Sequence, residues 1–427
     1  MKIVELTKIT NKEVESLLSR KTISYSNLLP LVTNIFEEIK TKGESGLKKI
    51  SNELDNNNRA ELILSEKELR ISAMKIDLEL KNAIDEAYEN IWKFHLLQKP
   101  DAYSIEIKDG IQCSRKPIPI ENVGLYIPGG TAVLFSTLLM LAVPAKIAGC
   151  KRIVVTSPFG GKEISPALAY TAEKCGIREF YSVGGAQAIA MFALGTENIK
   201  KVDKIFGPGN QYVTAAKVLL PLMGTSCMID MPAGPSELLV IADNSANPKY
   251  IAADLLSQAE HGVDSQVILM TDDLLFANKV NVEINKQTKL LPRKEYVNKC
   301  LENSACIVTS DLEKAIELSN YYAPEHLIIN TKCNEDIALN VTNAGSVFVG
   351  EYSCESAGDY ASGTNHSLPT NGYAKSIGGV NVEMFMKNIT FQSLTKFGLN
   401  SISNTIIKMA EAEELEAHAN AVKVRLN

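Results

Sequence analysis

The sequence predicts an α/β protein made of two strand–helix units, with helical stretches at both ends. Three observations carry that expectation. Short β-branched runs alternate with helix-like segments from about residue 120 onward, as in βαβ units around a largely parallel sheet. The alternation comes in two successive sets. At 427 residues the chain is too long for one compact core.

Taken in order, residues 1–99 read as helical. Ser65-Glu66-Lys67-Glu68 fits a capping box, and a polar–apolar pattern follows toward Trp92 and ends near Pro100. The first set of strands is RIVVTS (152–157), REFYSV (178–183), VDKIF (202–206) and ELLVIAD (237–243). AQAIAMFAL (186–194) and QYVTAAKVLL (211–220) are helices between them. The second set is SQVILMT (265–271), ACIVTS (305–310), EHLIIN (325–330) and GSVFVG (345–350). Residues 351–380, rich in Gly, Ser, Thr, Asn and Pro, form a long loop, a feature usually tied to function. From about Ser401 the chain reads as an acidic amphipathic helix.

Composition narrows the function. Lys and Arg number 44 against 50 Asp and Glu, a net charge of −6, which argues against nucleic acid or an anionic membrane as partner. The N-terminus has no secretory pattern. The longest apolar run, near Ala132 to Ala145, is interrupted by Ser136, Thr137 and Pro144 and is too short for a bilayer. A cytoplasmic protein is expected. Its eight cysteines are scattered, with no CxxC pair, and read as free thiols.

Glycine-rich turns follow strands at YIPGGTA (126–132), SVGGAQA (182–188), FGPGNQY (206–212) and MPAGPSE (231–237). Such turns suit a nucleotide's phosphates, and they equally serve as plain βα turns. The five histidines differ in setting. His95 sits among apolar neighbours and reads as packed. His261 follows Gln258 by three residues at a helix end, where Gly262 suits a C-cap; the pair could face a metal or only water. His326 follows Pro324 and Glu325 at a strand mouth, a common place for a general base. His366 lies in the long loop seven residues after Asp359, and His418 on the C-terminal helix.

Several long motifs resemble the histidinol dehydrogenase family. They are GLYIPGGTAVLFSTLLMLAVPAKIAGC (124–150), VGGAQAIAMFALGT (183–196), DMPAGPSELLVIAD (230–243), ADLLSQAEHGVDSQ (253–266), APEHL (323–327), AGDYASGTNHSLPT (357–370) and LEAHANAVKVR (415–425). The resemblance covers roughly residues 25 to 425 in order, and nothing is carried onto the first 20.

The resemblance implies two Rossmann-like α/β domains with helical N-terminal and C-terminal extensions. Residues 1–21 would be a helical arm. Residues 22–125 with 238–380 would form the domain carrying the catalytic and most metal residues. Residues 126–237 would form the NAD domain, and 381–427 would reach the partner of a homodimer. It implies oxidation of L-histidinol through the aldehyde to L-histidine with two NAD, and one zinc per subunit held by Gln258, His261, Asp359 and His418, the last reaching the partner's site. His326 would be the general base and Glu325 would activate water. Ser236, His366 and Glu413 would contact substrate, together with His326 and the metal ligands; Tyr126, Gln187 and Asn210 would contact NAD. A rival route to an acid runs through a cysteine thiolate, with Cys113 and Cys150 as candidates.

Overall fold

The structure is a computed structural model and describes residues 1–20, 27–129, 134–232 and 234–427. Residues 130–133 of the first glycine turn and residue 233 of the last lie outside the described residues. The strands in chain order are β1 (Lys2–Glu5), β2 (Tyr103–Lys108), β3 (Ile111–Pro119), β4 (Asn122–Tyr126), β5 (Arg152–Thr156), β6 (Glu179–Tyr181) and β7 (Lys204–Phe206). They continue as β8 (Met228–Ile229), β9 (Glu237–Ala242), β10 (Gln266–Thr271), β11 (Ala305–Val308), β12 (His326–Asn330), β13 (Ser346–Val349) and β14 (Met386–Leu394). All eight runs expected as strands are strands.

Two parallel sheets result. One runs β6-β5-β4-β7-β8 and the other β1-β11-β10-β9-β12-β13. Counted from β4 and from β9, both wind in the order 3-2-1-4-5, with β1 added at one edge of the second. That doubly wound order leaves a crevice where the winding reverses. ELLVIAD opens the second sheet as β9 and does not close the first.

The helices divide differently from the expected boundaries. Helix Leu29–Asp55 lays Val32, Phe36, Ile39 and Leu47 against Val154, Tyr181 and Ile205 of the five-stranded sheet. Helices Glu66–Ala73 and Leu78–Leu96 bury Leu69, Ile84 and Ile91 with Val123, Leu125 and Phe180 of that same sheet. Residues 29–96 thus pack with the 126–237 unit, because their apolar stripes find that sheet's faces. The first residues form a strand, β1, paired with β11 from Lys2↔Ala305 to Glu5↔Val308. A helix Asn11–Leu17 follows, and Val14 and Leu18 pack under Leu239, Ile268 and Tyr322.

The apolar run at 132–145 becomes helix Phe135–Ala148, buried on nearly every side. A helix apolar all round belongs in a core, and no helix among the described residues is long and apolar enough to cross a membrane. The antiparallel sheet β14-β3-β2 projects from the body with Tyr103, Ile105 and Ile107 exposed on β2 and Ile389 and Phe391 on β14. Helices Lys396–Ala412 and Glu416–Leu426 pack on each other after it.

Candidate active site

Of the residues expected to be catalytic or metal-binding, Glu325, His326, Gln258, His261 and Asp359 lie at the N-terminal edge of the six-stranded sheet. Glu237 begins β9 and His326 begins β12, which are parallel neighbours in the sheet. Helix Pro248–Ala259 runs back between β9 and β10, so its last turn delivers Gln258 to the same edge. The helix caps at Glu260 rather than Gly262, which leaves His261 just past its end. Loop residues after β13 then cross this edge. They contain a short helix, Glu355–Tyr360, and the segment bearing His366.

Glu325 and His326 face one another although they are adjacent in sequence. Pro324 and Glu325 precede the strand, so strict alternation does not separate them. Glu325 Oε2 lies 3.6 Å from His326 Nδ1 and accepts the Glu237 backbone N–H at 2.8 Å. His326 Nδ1 sits 3.3 Å from the Glu237 carbonyl oxygen. An Nδ1–H donated there leaves Nε2 as the basic nitrogen. His326 Nε2 is buried without a hydrogen-bond partner, and its nearest carboxylate, Asp359 Oδ1, is 3.7 Å away. Burial alone would lower the pKa of His326, but the Glu325, Glu355 and Asp359 carboxylates outweigh it and push the imidazole well above its ordinary value.

Glu355 is the site residue that sequence reading missed. It is 1 % exposed, and burial beside Asp359 and Glu325 pushes its carboxyl up to about 8. The signal was available: Glu355 and Asp359 are four apart on one helix, hence on one face. Asp359 is held below its ordinary value, since His326, His366 and His261 outweigh its burial. Among the described residues, His261, Glu355 and Asp359 bring ligand atoms within 4.8 Å of one another. Gln258 is fully buried beside them. Its amide lies between the Glu355 carboxylate and the Glu237 N–H, and a half-turn about its last bond exchanges which of its oxygen and nitrogen faces the cluster. An imidazole, carboxylates and an amide oxygen are nitrogen and oxygen donors suited to zinc. A cation there would also relieve the repulsion among three buried carboxylates.

The three expected dinucleotide residues lie at the C-terminal ends of the five-stranded sheet. Tyr126 ends β4, and its hydroxyl accepts the Gly185 N–H at 3.2 Å. Gln187 donates to Asp55 Oδ2 at 3.0 Å, and that oxygen also takes the Gly184 N–H. Gln187 Oε1 remains buried without a partner. Asn210 caps helix Gln211–Leu219. Gly207 is at φ +122°, and a Cβ there would sit 2.1 Å from the Tyr126 carbonyl oxygen, so only glycine lets these two loops meet. A buried Lys217–Asp230 pair, 2.5 Å apart, holds both sides of Gly207: Asp230 accepts its N–H and Lys217 donates to its carbonyl. Glycine turns and an unpartnered buried amide oxygen fit a nucleotide.

One cavity joins the two edges. Gly207, Lys217 and Asp230 from the five-stranded unit and Ser236, Glu325 and His366 line it together. His366 donates or accepts across the seam to Thr137 Oγ1 at 3.1 Å, and its Nδ1 meets the Asp359 carbonyl at 2.8 Å. Glu413 and His418 are not brought here; both are exposed on the C-terminal helices. His95 is buried and structural, with Nδ1 on the Ile91 carbonyl and Nε2 on Asn365. None of the eight cysteines is paired in a disulfide. Burial pushes the Cys150 thiol up to about 12, and neither Cys113 nor Cys150 lines the cavity, which disfavours a thiolate route.

Comparison with known proteins agrees with this arrangement. The family model described as histidinol dehydrogenase matches residues 18–426, so the match includes part of the N-terminal segment left out of the earlier resemblance. The histidinol dehydrogenase of Bacteroides fragilis strain YCH46 is 49% identical over 411 residues, covering 96% of each chain. A chloroplastic histidinol dehydrogenase of Arabidopsis thaliana is 48% identical, over 100% of this chain and 91% of its own. The crystal structure of histidinol dehydrogenase from Elizabethkingia anophelis superposes with a TM-score of 0.95 at 48% identity, covering 100% of this chain and 98% of that one. A catalytic edge, a facing set of glycine turns and a match along almost the whole length lead to one statement: this chain belongs to the histidinol dehydrogenase family.

Proposed function

We propose that the chain oxidises L-histidinol through L-histidinal to L-histidine with two NAD⁺, in a zinc-dependent reaction. The observation that carries this reading is the convergence of Glu325, His326, Gln258, His261 and Asp359 at one sheet edge, across a cavity from the glycine turns. When bound, NAD accepts the hydride and zinc anchors the substrate's nitrogens. His326 Nε2 takes the alcohol proton, because the Glu237 carbonyl occupies Nδ1. Glu325, held by the Glu237 N–H, orients the water that adds to the aldehyde carbon. The second oxidation uses the same pair. Gln258, His261 and Asp359 hold the cation, and Gln258 adds no charge. Ser236 and His366, both on the cavity wall, contact the substrate. Tyr126, Gln187 and Asn210 contact the dinucleotide.

The fourth zinc ligand, His418, and the substrate contact Glu413 come from the C-terminal segment of a second copy. Two facts support this. Both residues are exposed on helices that pack on each other. The projecting three-stranded sheet also shows apolar side chains that its own chain does not cover, the mark of a protein–protein surface. The compartment we assign is the cytoplasm, where unpaired cysteines are the norm.

The test is NADH formation from L-histidinol, before and after chelation and zinc restoration. Two NADH per histidinol, lost with chelator and regained with zinc, is the expected result. No NADH from the zinc-loaded protein overturns the substrate assignment.

A further inference from the structure

Glu237 touches both members of the catalytic pair through its backbone alone. Its N–H donates to Glu325 Oε2 at 2.8 Å, and its carbonyl receives His326 Nδ1 at 3.3 Å. The backbone of that one residue, through the peptide groups on either side of its Cα, therefore fixes both the Glu325 carboxylate and the imidazole's tautomer. The Glu237 side chain, which the proposed chemistry does not use, is 3 % exposed and points away to Arg20.

Arg20 holds this carboxylate with both arms of its guanidinium: Nε to Oε1 at 2.5 Å and Nη2 to Oε2 at 2.8 Å. The same Nη2 donates to the carbonyls of Tyr322 at 2.9 Å and Ala323 at 3.2 Å. These are the last carbonyls of helix Leu312–Tyr322, which have no partner within the helix. Ala323 takes the left-handed conformation at φ +55°, one residue before Pro324 and two before Glu325. The guanidinium also stacks on the Tyr322 ring, its central carbon 3.7 Å from the centroid. Arg20 thus grips the start of β9 and the turn leading into β12 together. A planar fork does this where a lysine point charge could not.

We infer that Arg20, from the N-terminal segment, is a positioning residue for the Glu325–His326 pair, acting through the Glu237 backbone. Arg20 touches no group that the proposed reaction transforms. Its contribution lies in the orientation of the base and the water-holding carboxylate, and it leaves dinucleotide and cation binding alone. The kinetic part of this inference rests on the proposed histidinol oxidation; the geometric part does not.

The test compares wild type with Arg20→Ala, Arg20→Lys and the double variant Arg20→Met/Glu237→Gln. Imidazole ¹⁵N spectra are tractable with five histidines in the chain. At a pH where the imidazole is neutral, the His326 signals in Arg20→Ala should move from the Nδ1–H form toward a tautomer mixture, while the His95 signals stay. With L-histidinol, kcat should fall by about 30-fold or more with KM for NAD within about twofold and zinc content unchanged, a loss confined to the transition state. Added ethylguanidinium should restore part of kcat in Arg20→Ala, and Arg20→Lys should recover only a minor share. The double variant leaves no stranded buried charge; if Arg20→Ala fails to fold, it carries the same expected loss of kcat and the same spectral change. Unmoved His326 signals with wild-type kcat in a folded variant overturn the inference. A wild type that makes no NADH defeats the histidinol reading instead, and the imidazole spectra still decide the role of Arg20.

Discussion

His326, the proposed base, shows how little of a histidine's behaviour resides in its own type. Position after a proline at a strand mouth marked it in the sequence. Its tautomer depends on a carbonyl 89 residues away, at Glu237, which no local pattern reveals. The metal residues divide likewise. Gln258, His261 and Asp359 were legible as motif positions; Glu355 offered only its four-residue spacing from Asp359, because a buried acid looks like any surface acid until the fold covers it. Glu355→Ala should weaken zinc affinity by about 10- to 100-fold, measured by competition with a chelating dye; unchanged affinity would remove Glu355 from the cation's surroundings. Asp254, one turn before Gln258, has its carboxyl pushed up to about 7 by burial. The unfolded chain loses that proton near its ordinary value, well before the folded one does. Stability is therefore present at low pH and lost as pH rises toward about 7. In metal-free protein Asp254→Asn should gain about 1–3 kcal/mol at pH 8 and nothing at pH 4, read from denaturant midpoints. A loss at pH 8 would contradict the sign.

Among the elements, those with dense local signals were the readable ones. Ser65 accepts from the Glu68 N–H while Glu68 Oε2 takes the Ser65 N–H at 2.8 Å, so the capping box exists as the sequence implied. Ser65→Ala should cost about 1 kcal/mol of stability with kcat unchanged, in paired melting and turnover assays. The apolar strands buried on both faces were equally plain, because a parallel sheet covered by helices needs continuous hydrophobic runs. β2 and β3 escaped notice: the alternating apolar residues of β2 face outward and β3 is only partly buried, so neither forms a buried apolar run. The Asp109-Gly110 turn between them is nonetheless a strong hairpin signal, and Gly110 does adopt φ +77°. β1 was hidden for another reason. Four residues, KIVE, make a strand only because β11 offers an edge.

For the whole molecule, the site is divided between two sheets that wind alike and are used at opposite ends. The residues proposed to contact the dinucleotide sit at the C-terminal edge of one, as doubly wound sheets favour, while the proposed catalytic pair sits at the N-terminal edge of the other. The proposed exchange of C-terminal segments divides it again, and this has a sharp consequence. His326→Asn and His418→Asn dimers should each be inactive, the first retaining zinc and the second losing it. A mixed dimer of the two would hold one site with both defects and one with neither. Random reassortment of equal amounts should then restore about one-quarter of wild-type activity; no recovery after verified subunit exchange would place His418 at its own chain's site. The pairing of β1 with β11 also bears on how the protein is made. Residues 2–5 are made some 300 residues before their partner at 305–308, roughly 15–60 s of synthesis at ordinary elongation rates. The five-stranded unit can close in that interval. β1 and Arg20 must wait, so this sheet edge is completed only after residues 305–323 have been made.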